Sequence, residues 1–125
     1  MEILNDIKNY LVVENGVVKE YEFQQNIKLI DHHLTVYEDA KIQIIYLLTK
    51  PSQYHFDLTV QEYVKVDLIE MYEASCPCFF DKKLTVKNSS LVTRYVENSS
   101  HCDDCLDLKE VVDIYANANI NCAYV

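Results

Sequence analysis

Hydrophobic residues recur along this chain in short alternating runs. Leu58, Val60, Val64, Val66 and Leu68 stand between polar neighbours, on either side of a brief polar link. Period two on both sides of such a link predicts two strands joined by a tight corner. The phrase is written more than once: LTVYEDAKIQIIY from Leu34, LTVQEYVKVDLIE from Leu58, LTVKNSSLVTRYV from Leu84 and VDIYANANINCAY from Val112. LVVENGVVKEYEF from Leu11 is a weaker first copy. The starts at 11, 34, 58, 84 and 112 are 23, 24, 26 and 28 residues apart. Two positions after each start come Val13, Val36, Val60, Val86 and Ile114. Six after come Val17, Ala40, Val64, Ser90 and Ala118, and eight after come Lys19, Ile42, Val66, Val92 and Ile120.

One such unit cannot bury its inner face alone, whereas a stack of units buries a continuous column. The pattern therefore predicts an all-β chain folded as a short parallel β-solenoid of about five coils. Equivalent side chains would lie over one another at the strand spacing of about 4.8 Å. An ordinary β-sandwich is the competing reading, and the shared LTV starts argue against it. Antiparallel hairpins need tight turns, and Asn15-Gly16 is the one strong signal of that kind. Ahead of the repeats, Ile3, Leu4 and Ile7 are spaced for a short amphipathic helix. Residues 1–9 are accordingly expected to cap a solenoid domain spanning 10–125.

Composition narrows the partners. The formal net charge is -9, from 20 acidic and 11 basic residues, which disfavours phosphate backbones and anionic lipid. Nucleic acid and membrane are set aside as partners. A basic protein or a metal cation suits such a surface better. No apolar run approaches bilayer length, and the acidic N-terminus does not read as a secretory signal, so a cytoplasmic setting is expected. Thiols stay reduced there, and 5 cysteines in that setting point to metal or redox chemistry before structural disulfides.

The cysteines fall in a pattern. Cys76-Pro77-Cys78 and His101-Cys102-Asp103-Asp104-Cys105 each follow a strand, and Cys76 and Cys102 both lie 18 positions after an LTV start. Stacked coils would bring the two loops together. Cys76, Cys78, Cys102 and Cys105 then offer four thiolates, the donor set of tetrahedral zinc or an iron–sulfur cluster, with His101 as a spare ligand. A reversible disulfide pair and inert reduced thiols are the alternatives. Cys122 falls in a column with Tyr21, Ile44, Leu68 and Arg94, where it reads equally as a core residue.

Other candidates carry less. Asp31-His32-His33 echoes the DHH phosphoesterases, but the further carboxylate motifs those enzymes need are absent, so it reads as a loop before Leu34. Asp31, His55 and Asp81 each precede an LTV start by three and are expected in one solvated loop row, with His55 and Asp31 as a potential pair. Tyr46, Tyr72 and Tyr95 read as a stacked ladder. One glycine leaves no phosphate-binding loop, and no catalytic residues are assigned.

The repeated pattern [LI]-x-V-x-x-x-A-x-[VI]-x-[LI]-I-x-x-Y, in LTVYEDAKIQIIYLL, LTVQEYVKVDLIEMYEAS and VVDIYANANINCAYV, resembles the SufB/SufD family of iron–sulfur cluster assembly scaffolds. The likeness spans roughly residues 10–125. It implies a right-handed parallel β-helix core and a non-enzymatic scaffold role. No counterpart is seen of the helical segments through which such scaffolds bind their ATPase partner, SufC, so the chain resembles a core-only relative. Ala116 and Cys122 match the family's A-x-N-x-x-Q-C stretch, which implies Cys122 as a cluster ligand. The reading is a cluster scaffold that holds an iron–sulfur cluster or zinc. A small solenoid adaptor with structural zinc or free thiols is its alternative. In either case the C-terminal edge of the solenoid is expected to pair with a partner protein or a second copy.

Overall fold

A computed structural model describes residues 3–101 and 105–124. Eleven strands are described: β1 (Asn9–Glu14), β2 (Val17–Glu22), β3 (Ile27–Ile30), β4 (His33–Val36), β5 (Ala40–Leu48), β6 (Gln53–Val60), β7 (Lys65–Ala74), β8 (Cys78–Val86), β9 (Leu91–Asn98), β10 (Leu106–Ile114) and β11 (Asn119–Tyr124). They form two sheets. The first runs β11-β9-β7-β5-β1-β2 and the second β10-β8-β6-β4-β3. Every pairing from β4 and β5 onward is parallel, and the chain alternates between sheets at each corner. This is a two-sheet β-solenoid of about three turns.

The LTV starts set the register. Leu34 pairs with Leu58, Leu58 with Leu84, and Leu84 with Val112. In the first sheet Ala40, Val66, Val92 and Ile120 form one column. Ala40 thus joins the column expected eight positions after a start, because the corner after Val36 is two residues shorter than its successors. In the later corners Tyr63, Ser89 and Asn117 repeat a left-handed backbone, with φ of 60°, 61° and 60°. Tyr63 N–H donates to the Asn88 carbonyl and Ser89 N–H to that of Ala116, so the corners stack as well.

Two expectations are corrected at the N-terminal end, while the DHH run lies where a loop before Leu34 was expected. The copy from Leu11 is not a coil, because β1 and β2 form an antiparallel hairpin and only β1 pairs in parallel with β5. Asn15 and Gly16 turn it with φ of 50° and 77°, the primed turn that suits the twist of two strands. A second hairpin, β3–β4, turns at Asp31-His32, so the DHH run is a tight turn followed by a strand start. Finally, residues 3–8 are not helical. They make a turn closed by Ile7 N–H on the Leu4 carbonyl at 3.1 Å.

Core packing follows strand parity. Leu11, Ile44, Leu34, Leu58, Leu84, Phe56 and Phe80 are buried between the sheets. Tyr46 and Tyr72 stack at 4.8 Å between ring centres, and the Phe80 ring meets Tyr46 edge-on at 4.9 Å. The ladder stops there. Tyr95 pairs with Ile69 on the outer face and is half-exposed. No helix among the described residues is long and apolar enough to cross a membrane.

Candidate functional site

The cysteine loops meet as the coil register dictates. Cys78 opens β8, and its N–H donates to the Cys105 carbonyl at 2.8 Å although 27 positions separate them. Its Sγ lies 3.4 Å from the same oxygen. Cys76 is half-buried, with Sγ 3.8 Å from the Leu48 carbonyl. Burial, and then the neighbouring Cys76, push the Cys78 thiol above its ordinary value. It is a protonated, weakly nucleophilic thiol at neutral pH. Cys105 is buried and disulfide-bonded, so it offers no thiolate until reduced. His101 is exposed and follows the stack, its N–H donating to the Ala74 carbonyl at 2.9 Å. Cys102 lies outside the described residues. Among those described, no group of three or more His, Cys, Asp or Glu side chains is gathered to hold a metal ion.

Cys122 stands apart from these loops. It lies on β11 of the first sheet, in register with Arg94, and its neighbours down the column are Leu68 and Ile42. The column is an inward one, but Cys122 ends it at the uncovered side and is exposed.

Beneath that end the interior holds four ionisable side chains that sequence reading did not assemble. Glu70 on β7 and Arg94 on β9 face Lys82 on β8 and Glu110 on β10 from the opposite sheet. Arg94 Nε donates to Glu70 Oε2 at 2.7 Å, and its two terminal nitrogens hold both oxygens of Glu110 at 2.5 Å. Lys82 is ion-paired with Glu70 and lies 3.6 Å from Glu110. Glu70 and Lys82 side chains have no exposed surface. Burial, reinforced by Arg94, pulls the Lys82 amine well below its ordinary value. For Glu110, burial alone would raise the carboxyl, but hydrogen bonds from Arg94 and the charge of Lys82 bring it below the usual value. The signal for this cluster was present in the sequence. All four residues occupy inward positions of their strands, where alternation calls for apolar side chains.

The last coil leaves its inward side chains open. Val112, Ile114 and Tyr124 are 41%, 52% and 69% exposed, and no strand pairs beyond β10 or β11 among the described residues. The two ends differ in edge chemistry. At the far end β2 carries Lys19, Glu20 and Glu22 and β3 carries Lys28, charges that discourage edge pairing. β11, with the sequence NINCAY, carries none, whereas β10 beside it at the open end carries Asp107, Lys109, Glu110 and Asp113.

These features define a two-sheet parallel β-solenoid with one open end, of whose two edge strands only β11 is uncharged. Comparison with family models, curated proteins and solved structures gave no match.

Proposed function

We propose that this protein is a non-enzymatic interaction module that pairs through its open β10/β11 end, by strand addition, with a second copy of itself. The observation that carries the reading is the uncharged β11 edge above an exposed apolar coil. Antiparallel pairing of two β11 strands brings no like charges together and would cover Ile120, Cys122 and Tyr124. Since the opposite end is guarded by charged hairpin strands, such pairing closes as a two-fold dimer and does not propagate into a filament. We take the coil to be right-handed, as crossovers between parallel strands of one sheet almost always are. Sedimentation velocity over a concentration series tests the reading. A monomer–dimer equilibrium that Ile120→Lys abolishes supports it, and a monomer at every concentration overturns it.

A second reading draws on the contact between Cys78 and Cys105. It makes this loop cluster a site for an iron–sulfur cluster or zinc, in line with the SufB/SufD resemblance. Cys76, Cys78, Cys102 and Cys105 would be its ligands, His101 a spare donor and Cys122 a further candidate. A scaffold of that kind in the cytoplasm would work beside a SUF-type ATPase. The disulfide at Cys105 would first have to be reduced. Anaerobic reconstitution of reduced protein with iron and sulfide would then give a visible absorption band, and its absence removes the reading.

A further inference from the structure

We propose that the second copy docks in one register, set by the charges of β10, with Lys109 of each chain opposite Asp113 of the other. The inference rests on the pairing reading above and adds to it the alignment of the two edges. A two-fold axis normal to both sheets lays β10 against β10 and β11 against β11 at once, each pair antiparallel. Opposed residues must leave the same face, so the edges slide only in steps that keep inward side chains together.

Lys109 and Asp113 lie on the outer face of β10, and Leu108, Glu110, Val112 and Ile114 on the inner. With the axis at Val111, each Lys109 meets Asp113 of the other copy. Leu108 then meets Ile114 and Glu110 meets Val112, so the exposed Val112 and Ile114 are both covered. One step towards the N-terminus puts Glu110 opposite Glu110 and Asp107 opposite Asp113, and like charges directly opposed are destabilising. One step towards the C-terminus pairs Lys109 with Tyr115 and Asp113 with Val111, which leaves no opposite charges facing.

The surroundings fit the same register. Lys109 is beside Asp81 on β8, and Asp113 Oδ2 lies 3.5 Å from Lys83 Nζ. Across the joined edges the signs then alternate from Asp81 to Lys109, and on to Asp113 and Lys83 of the second copy. The other sheet agrees. Val111 lies three positions before the end of β10 and Cys122 three after the start of β11, so an axis that passes Val111 also passes Cys122. Arg94 gives the same level, since it is in register with Cys122 and its guanidinium holds Glu110. On β11 Ile120 then meets Tyr124 of the second copy, and no charges are opposed.

Sedimentation velocity of two charge-reversal variants, alone and mixed, tests the register. Lys109→Asp sets two carboxylates at each contact and should raise the dimer Kd roughly tenfold. Asp113→Lys should weaken pairing as much, although it makes the chain less negative, so total charge does not account for the loss. An equimolar mixture of the two variants restores opposite charges at both contacts and should associate about as tightly as wild type, which also shows that both variants are folded. The register is overturned if Asp113→Lys pairs as well as wild type, or if the mixture associates no better than Lys109→Asp alone. Wild-type dimers that neither change disturbs would overturn the register and leave the pairing reading standing, whereas a wild type monomeric at every concentration removes both.

Discussion

Arg94 and Glu70 sit on neighbouring strands, nearly without exposure, with Arg94 Nε donating to Glu70 Oε2 at 2.7 Å. The guanidinium also grips Glu110, which ties the first sheet to the second across the interior. Removing one member of such a buried set leaves an uncompensated charge and costs about 3–5 kcal/mol, whereas removing a matched pair costs much less. Arg94→Met should therefore destabilise the fold by an amount in that range in denaturant unfolding. Glu70→Leu combined with Lys82→Met should cost clearly less than either change alone.

Acid should weaken the same cluster. Glu110 has a folded-state value below the ordinary 4.5, so its contribution is complete above that pH and is lost as pH falls through the folded value. Thermal unfolding should show a flat midpoint above that range and a decline below it. Glu110→Gln should flatten the decline, and an unchanged acid profile in that variant would remove Glu110 from the account.

The hairpin turn gives a sharp local test. Gly16 has φ of +77°, and a Cβ there would meet Tyr54 Cδ1 at 3.0 Å. Its neighbour Asn15 accepts from the Thr49 amide at 2.8 Å and from the Tyr54 hydroxyl at 3.2 Å, pinning the hairpin to the first coil. Gly16→Ala should cost roughly 1–2 kcal/mol for the left-handed backbone alone, read as a lowered denaturant midpoint.

This turn also shows where the sequence was legible and where it was not. Leu34, Leu58, Leu84 and Val112 stack as their shared phrase predicts, because period-two patterning with one buried face fixes register. The copy at Leu11 carries similar spacing, yet Asn15-Gly16 overrode it, since local turn chemistry reverses a strand whatever its flanks resemble. The two-residue difference at the first corner moved Ala40 into another column. Within the candidate site, the approach of the two cysteine loops was readable from the spacing, and a disulfide stood among the alternatives, but spacing does not encode redox state and could not choose it over thiolates. Arg94 was visible in an inward column, but its partners Glu70, Lys82 and Glu110 come from three other strands, and only the fold collects them.

Thiol reactivity should rank by exposure. Cys122 is exposed, Cys76 half-buried and Cys78 buried with its thiol pushed up. Labelling of native protein followed by peptide mass spectrometry should find Cys122 first and Cys78 last among these three, with Cys105 modified only after reduction. Fast labelling of Cys78 would contradict its packing.

Hydrogen exchange across β11 tests the pairing account most directly. Each copy carries a net charge of -9, so association should strengthen with salt as repulsion is screened. The amides of Asn119–Tyr124 should gain protection as concentration and salt rise, while those of β2 at the far edge stay constant. Exchange from β11 that is identical at every concentration and salt would mean that the open edge binds no second copy.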